Sequence, residues 1–407
     1  MSPTYLPLHV HPLFLTTSSA GCSAIYAFFP PFPPKVHSLS RSNVFNMATS
    51  TESPSKFKVT PEKQASLPHF AYQQLTCRPK SVTGVNLNGK TAIVTGSNTG
   101  VGLETARQLL DLGIRKLVLA IRNETKGAAA VANLTKGREA KHKANIEVWN
   151  LDLSVYDSIL AFAARAEKEL TTLDIAVLNA GICPVTRSFN PHTGHDEVIQ
   201  VNYLSTALLA IVLLPVIQSK RQNQSGPSRL TIVNSEVSGW TSFSEVVGKN
   251  PTPPSILATL DDDDSGKKAV NMIDRMQVSK LLGQFFLSEI AKVVSPSLAV
   301  INATSPSLVL ETQFNRDRDG TLLYTIGKLA MKKVANTAAV GARMITDAAV
   351  NHGEETHGEM LSFQELVPLA PIIYTEEGSK ISKKLWDETM TELEFAGVRE
   401  ILATLKS

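Results

Sequence analysis

Thr91 to Leu110 reads TAIVTGSNTGVGLETARQLL: a β-branched apolar run, glycines at 96, 100 and 102, then an amphipathic helical pattern. That order describes a phosphate cradle. Glycine lets the backbone turn sharply and approach a pyrophosphate, and the free N–H groups at the start of the following helix stabilise its charge. A glycine triplet is weak evidence alone and gains weight from lying between a strand and a helix. Thr95, Gly96, Asn98, Gly100, Val101 and Gly102 are the expected contact residues of this cradle.

Outward from it, apolar strand candidates recur at Thr91 to Thr95, Lys116 to Ile121, Ile146 to Asn150, Ile175 to Asn179, Leu230 to Asn234 and Leu298 to Ala303, with amphipathic helical stretches between most of them. Strands alternating with helices pair in parallel through right-handed crossovers. The expected fold is α/β, a single doubly wound (Rossmann) parallel sheet with helices on both faces.

The spacing Gly96-x-x-x-Gly100-x-Gly102 behind Thr95 resembles the short-chain dehydrogenase/reductase family, and further motifs follow in the family's order. Asp152, in Leu-Asp-Leu-Ser, is similar to the family's adenine-contacting aspartate, and Asn179-Ala180-Gly181 to its Asn-Ala-Gly at the end of strand four. Asn202 matches the helix asparagine that in relatives holds a water on the proton path. Ser235, with Ser238 as the second choice, matches the serine that bonds the substrate carbonyl. Lys280 matches the lysine that bonds the nicotinamide ribose. The flanks Asp274-Arg275 and Gln277 to Leu282 resemble retinol-dehydrogenase-like and fungal secondary-metabolite members.

Two positions depart from that pattern. The family's tyrosine, between Arg275 and Gln277, is Met276 here, and a thioether has no titratable proton. None of the seven tyrosines lies between 204 and 323, so no small register shift restores one; Tyr203 is expected to point away from the site, and Tyr324 is the best distant substitute. After strand six the family's Pro-Gly is Pro306-Ser307, where a positive φ would strain a serine; Thr312 matches the family threonine that bonds the carboxamide. Relatives that prefer NAD place an acid at the end of strand two. Arg122 stands there instead, with Lys126 nearby, and a guanidinium fork suits a 2′-phosphate. The cofactor implied is NADP(H).

Composition narrows the function further. Forty basic against 37 acidic residues give a net charge of +3, which offers no reason to expect nucleic acid as a partner. Cys22, Cys77 and Cys183, odd in number and far apart, make neither a disulfide framework nor a metal-ligand cluster, consistent with a reducing, cytoplasmic setting. No run reaches the roughly 18 to 20 apolar residues of a membrane span, and Ala207 to Leu214 reads as a core helix.

Residues 1–46 contain no Asp or Glu and read as a disordered extension or a stretch upstream of a true start at Met47. Residues 47–88 read as a loosely packed arm, 89–375 as the dinucleotide-binding domain, and 376–407 as a helical tail. An insertion over 241–271 reads as a solvated loop or a lid over the substrate. Leu281, Leu282, Phe285 and Phe286 serve either the core or an interface in a homo-oligomer.

The expected activity is reduction of a carbonyl, or oxidation of an alcohol, on a hydrophobic small molecule in secondary metabolism. Its proton would come from water ordered by Lys280 and Asn202 or from the ribose hydroxyl. The alternatives are a catalytically silent cofactor-binding protein and a non-redox eliminase or cyclisation enzyme using Lys280 as base.

Overall fold

Ala92, Ile93 and Val94 are completely buried, as are Leu117, Val118 and Leu119 on the next strand, so these segments need cover on both faces. The computed structural model describes residues 56–137, 144–249, 252–262, 270–310 and 334–405, and supplies that cover. Its strands are β1 (Thr91–Thr95), β2 (Lys116–Ile121), β3 (Asn145–Asn150), β4 (Ile175–Leu178), β5 (Ser228–Val233), β6 (Ala299–Thr304), β7 (Met360–Ser362) and β8 (Glu365–Val367). The helices used below are α1 (Leu67–Thr76), α2 (Gly100–Asp111), α3 (Glu124–Thr135), α4 (Tyr156–Glu169), α5 (Ser205–Lys220), α6 (Ile256–Asp261), α7 (Met272–Val293), α8 (Ala338–Val350), α9 (Glu376–Glu392) and α10 (Val398–Thr404). The extension over 1–46, Thr312 and Tyr324 lie outside the described residues.

The eight strands form one sheet in the order β3-β2-β1-β4-β5-β6-β7-β8. All pairs are parallel except β7 with β8, so the sheet is doubly wound with one antiparallel edge pair, which the sequence pattern did not reveal. Side chains alternate across a strand. Ile93 and Val118 join the core under α4, α5 and α7, while Ala92, Val94, Leu117 and Leu119 join the second core under α2, α3 and α8. The order reverses between β1, whose neighbours are β2 and β4, and the carboxyl ends there open a crevice, the usual ligand site of an open α/β sheet.

Two expectations change. The arm is not loose: Phe70 is 4% exposed and meets the Trp240 ring edge-on at 5.0 Å between centroids. The insertion is not a solvated loop, because Phe243, Val246, Ile256, Leu257 and Leu260 are buried, and the Glu388 carboxylate of α9 accepts from the Ile256 and Leu257 amides at the start of α6. Of the two readings of Leu281, Leu282, Phe285 and Phe286, the core is the one observed, all four being buried within this chain. Among the described residues one helical stretch, Glu197–Asn223, is long and apolar enough to cross a membrane, and 94% of its most apolar window is buried inside the fold.

Candidate active site

A cavity of about 690 Å³ lies at the reversal of strand order, over the end of β1. Gly96, Asn98, Gly100, Val101 and Gly102 form its floor. Gly96 and Gly100 take φ of +64° and +58°, which side-chain-bearing residues rarely adopt. Gly102 is required by space, since a Cβ there would sit 2.5 Å from Asn179 Nδ2 and 2.6 Å from the Gly96 carbonyl oxygen. The loop thus brings backbone to the cavity where a bulkier chain could not, and the amino end of α2 opens beside it. That geometry fits a dinucleotide pyrophosphate.

Thr95 differs from expectation: it is 1% exposed and is not part of the cavity wall. Its Oγ1 accepts from the Asn179 and Ala180 amides, both at 2.9 Å, and Asn179 Nδ2 donates back to the Thr95 carbonyl at 2.9 Å. Thr95 therefore holds the Asn179-Ala180-Gly181 turn, whose three residues do line the cavity.

At one end stand Arg122, Lys126 and Asp152. Asn123 Oδ1 caps α3 by accepting from the Lys126 amide at 2.9 Å, which fixes how the chain leaves β2. Asp152 is set by Ser154, whose amide and hydroxyl donate to Oδ1 at 3.0 and 2.6 Å. Its other oxygen lies 3.9 Å from Arg122 Nε, and the Arg122 side chain is 64% exposed, open to an incoming anion.

At the other end Ser235, Met276 and Lys280 share the wall with Cys183. Met276 and Lys280 are four residues apart on α7 and so lie on one face. Lys280 Nζ donates to the Val233 carbonyl at 2.8 Å. Burial pulls its pKa down from 10.5 to about 8, and the neighbouring Cys183 acts in the opposite direction. Ser235 caps the short helical turn Glu236–Gly239, with Oγ accepting from the Val237 amide at 3.4 Å. Ser238 is 2% exposed and outside the cavity wall, so Ser235 is the serine at the site.

The amino-acid order of these motifs has close counterparts. Residues 90–235 match the short chain dehydrogenase family. The short-chain dehydrogenase fogG of Aspergillus ruber is 40% identical over 353 residues, 86% of this chain and 98% of that one. The chain belongs to the short-chain dehydrogenase/reductase family. The short chain dehydrogenase virL of Hypocrea virens is 36% identical over 341 residues, 83% of this chain and 94% of its own. The fold agrees as well: yciK, an Escherichia coli oxidoreductase, superposes with a TM-score of 0.50 at 19% identity, covering 71% of this chain and 100% of that one. The protein is thus an oxidoreductase of the short-chain type.

Within this dehydrogenase Asn202 sits in a π-helical turn, Gln200–Leu204, a distortion common at functional sites. Its Oδ1 accepts from the Ile182 amide at 2.8 Å, and its Nδ2 donates to the Ile182 carbonyl at 3.0 Å and to Ser279 Oγ at 3.1 Å. These bonds fasten the Ile182-Cys183 turn to the lysine helix. Tyr203 points away, its hydroxyl 2.6 Å from Thr389 Oγ1 on α9. Among the described residues no tyrosine lines the cavity.

Pro306 and Ser307 do line it, and Ser307 adopts φ +59°, the strained conformation expected where a glycine would be at ease. No described residue of the insertion reaches the wall, so the lid reading gains no support from them. Sequence reasoning missed Asn234, whose Nδ2 donates to the Lys280 carbonyl at 3.0 Å and whose Oδ1 accepts from the Ser235 amide at 2.7 Å. It also gave Cys183 no role. Only packing could show either one.

Proposed function

We propose that this dehydrogenase is an NADP(H)-dependent carbonyl reductase or alcohol dehydrogenase acting on a hydrophobic small molecule in secondary metabolism. One observation carries the reading: the glycine cradle, Ser235 and a half-buried Lys280 share a cavity whose far end presents Arg122. When bound, the coenzyme supplies hydride to a carbonyl carbon or accepts it from an alcohol. Gly96, Gly100 and Gly102 would hold its pyrophosphate, Asp152 its adenine, and Arg122 with Lys126 its 2′-phosphate. Ile182, Pro184, Ile273, Met276 and Leu308 give the wall apolar character that suits a hydrophobic substrate.

Ser235 Oγ donates to the substrate oxygen and orients it. The phenol that relatives place on this face of the lysine helix is replaced by Met276, so the proton must come from elsewhere. The Lys280 ammonium carries three hydrogens, of which Val233 takes one, and its side chain lines the cavity. With its pKa near 8 it is poised to pass a proton, through water, to the oxygen held by Ser235. A silent coenzyme-binding role is the second reading, favoured by Met276 itself.

Single-turnover transfer from 4-deuterated NADPH to a panel of hydrophobic ketones and aldehydes tests the proposal. Deuterium on the product carbon is expected, and its absence in both the natural protein and the Met276→Tyr variant refutes it. We infer a cytoplasmic location from the cysteine pattern, which fractionation tests directly.

A further inference from the structure

Ser235 and the Pro306-Ser307 turn belong to the dinucleotide fold, yet both are tied to the N-terminal arm, which does not. Gly239 closes the Ser235 turn against the arm so tightly that a Cβ there would lie 2.7 Å from the Ala65 methyl. A hydrogen-bond chain runs beside this contact. The Glu236 carboxylate, buried and with its pKa raised by that burial, accepts from Ser305 Oγ and, at 2.5 Å, from Ser362 Oγ. Ser305 Oγ accepts from the Ser307 amide at 2.9 Å, and the Ser307 hydroxyl donates to Gln74 Oε1 on α1.

Gln74 is 2% exposed and uses every polar atom of its amide. Oε1 also accepts from the Leu308 amide at 3.3 Å, while Nε2 donates to the Val334 carbonyl at 2.9 Å and the Leu308 carbonyl at 3.4 Å. One side chain from the arm thus fastens Ser307 and Leu308 to Val334, the described chain on either side of residues 311–333. It does so beside a serine held at φ +59°, a conformation that costs a non-glycine residue on the order of 1–2 kcal/mol and persists only when its surroundings enforce it.

We propose that Gln74 is a positioning residue for the coenzyme: through Ser307 it holds the Ser307-Leu308 backbone in the shape that receives the nicotinamide end, making affinity depend on a helix outside the dinucleotide fold. Without Gln74, Ser307 is free to relax toward negative φ, and the peptide groups lining the cavity at 307 and 308 turn with it. The inference rests on the coenzyme reading above.

The test uses the full chain and equilibrium binding, read by NADPH fluorescence, with 2′,5′-ADP as a probe of the Arg122 end alone and thermal melting as a measure of folding. Gln74→Ala is expected to weaken NADPH binding by about tenfold, the loss that one unmade buried hydrogen bond corresponds to, and to leave 2′,5′-ADP binding unchanged. In a Ser307→Gly background, where glycine takes the positive φ unaided, the same substitution should cost less. Unchanged NADPH affinity in Gln74→Ala overturns the proposal, as does an equal loss for both ligands or an equal loss in both backgrounds. A natural protein that binds neither ligand overturns the coenzyme reading instead.

Discussion

Restoring a phenol at position 276 should accelerate turnover, by an amount the structure bounds. Met276 lies one helical turn before Lys280, on the same face and in the same cavity. A tyrosine there would project beside a half-buried ammonium whose own pKa is already drawn down to about 8, and the positive charge would lower the phenol's pKa in turn. The cavity of about 690 Å³ leaves room for the ring. A positioned general acid contributes roughly 10²- to 10⁴-fold, equivalent to about 3–5 kcal/mol of barrier. Met276→Tyr is therefore expected to raise kcat at least about 100-fold at pH 7. Affinity for NADPH should be almost unchanged, because the glycine cradle and Arg122 are untouched. The assay is NADPH oxidation with carbonyl substrates, paired with coenzyme titration and thermal melting. If Met276→Tyr folds, binds NADPH and turns over no faster than the natural protein, Met276 does not stand where a donor is needed and the reasoning fails.

Arg122→Ala should weaken NADPH binding by about 10- to 100-fold, the range for charge-assisted hydrogen bonds, while leaving NADH nearly unaffected; equal effects on both coenzymes would remove Arg122 from the 2′-phosphate site. The redox reading requires the Lys280 ammonium, so kcat/KM should fall as pH rises through about 8, whereas a non-redox enzyme using neutral Lys280 as base should gain activity over the same interval. Replacing Cys183 by Ala should move that inflection to lower pH, since the sulfur opposes the depression. His195 tests the packing of the insertion. Burial opposes its charge, but Asp261 at 2.6 Å and Glu392 at 3.1 Å prevail and lift its pKa to about 9. Stability from this group is fully present below the ordinary histidine pKa of about 6.5 and is lost as pH rises through about 9, so the melting temperature should decline over that window and decline less in His195→Gln.

The cradle was legible because its chemistry is local: glycines at 96, 100 and 102 do their work within one turn, and the strand and helix around them carry their own periodicity. The first six strands were legible for the same reason. β7 and β8 were not, because three residues each give no periodic signal and they are strands only through pairing with β6 and with each other. Thr95 was found by position yet assigned the wrong contact; a threonine at a strand end gives no hint that its hydroxyl serves two amides 84 and 85 residues away. Gln74 was invisible for a stronger version of that reason. It sits in a polar arm, and its partners at Ser307, Leu308 and Val334 lie more than 230 residues along the chain.

The choice between a working enzyme and a silent scaffold turns on residues the fold does not need. Arg122 is 64% exposed and its pairing with Asp152, at 3.9 Å, is worth at most about 1 kcal/mol to stability. Lys280 is a sharper case because it costs stability. An ammonium drawn half out of water is held at a penalty, in the same direction as the fall of its pKa to about 8; a scaffold would be served better by an apolar side chain, such as the methionine already present one turn earlier. Lys280→Met is accordingly expected to raise the melting temperature at pH 7 by about 2 °C or more while abolishing turnover, a stability gained by removing function. A fall in melting temperature would mean that the ammonium's bond to Val233 outweighs its desolvation, and Lys280 would then be a structural residue in a cavity without chemistry.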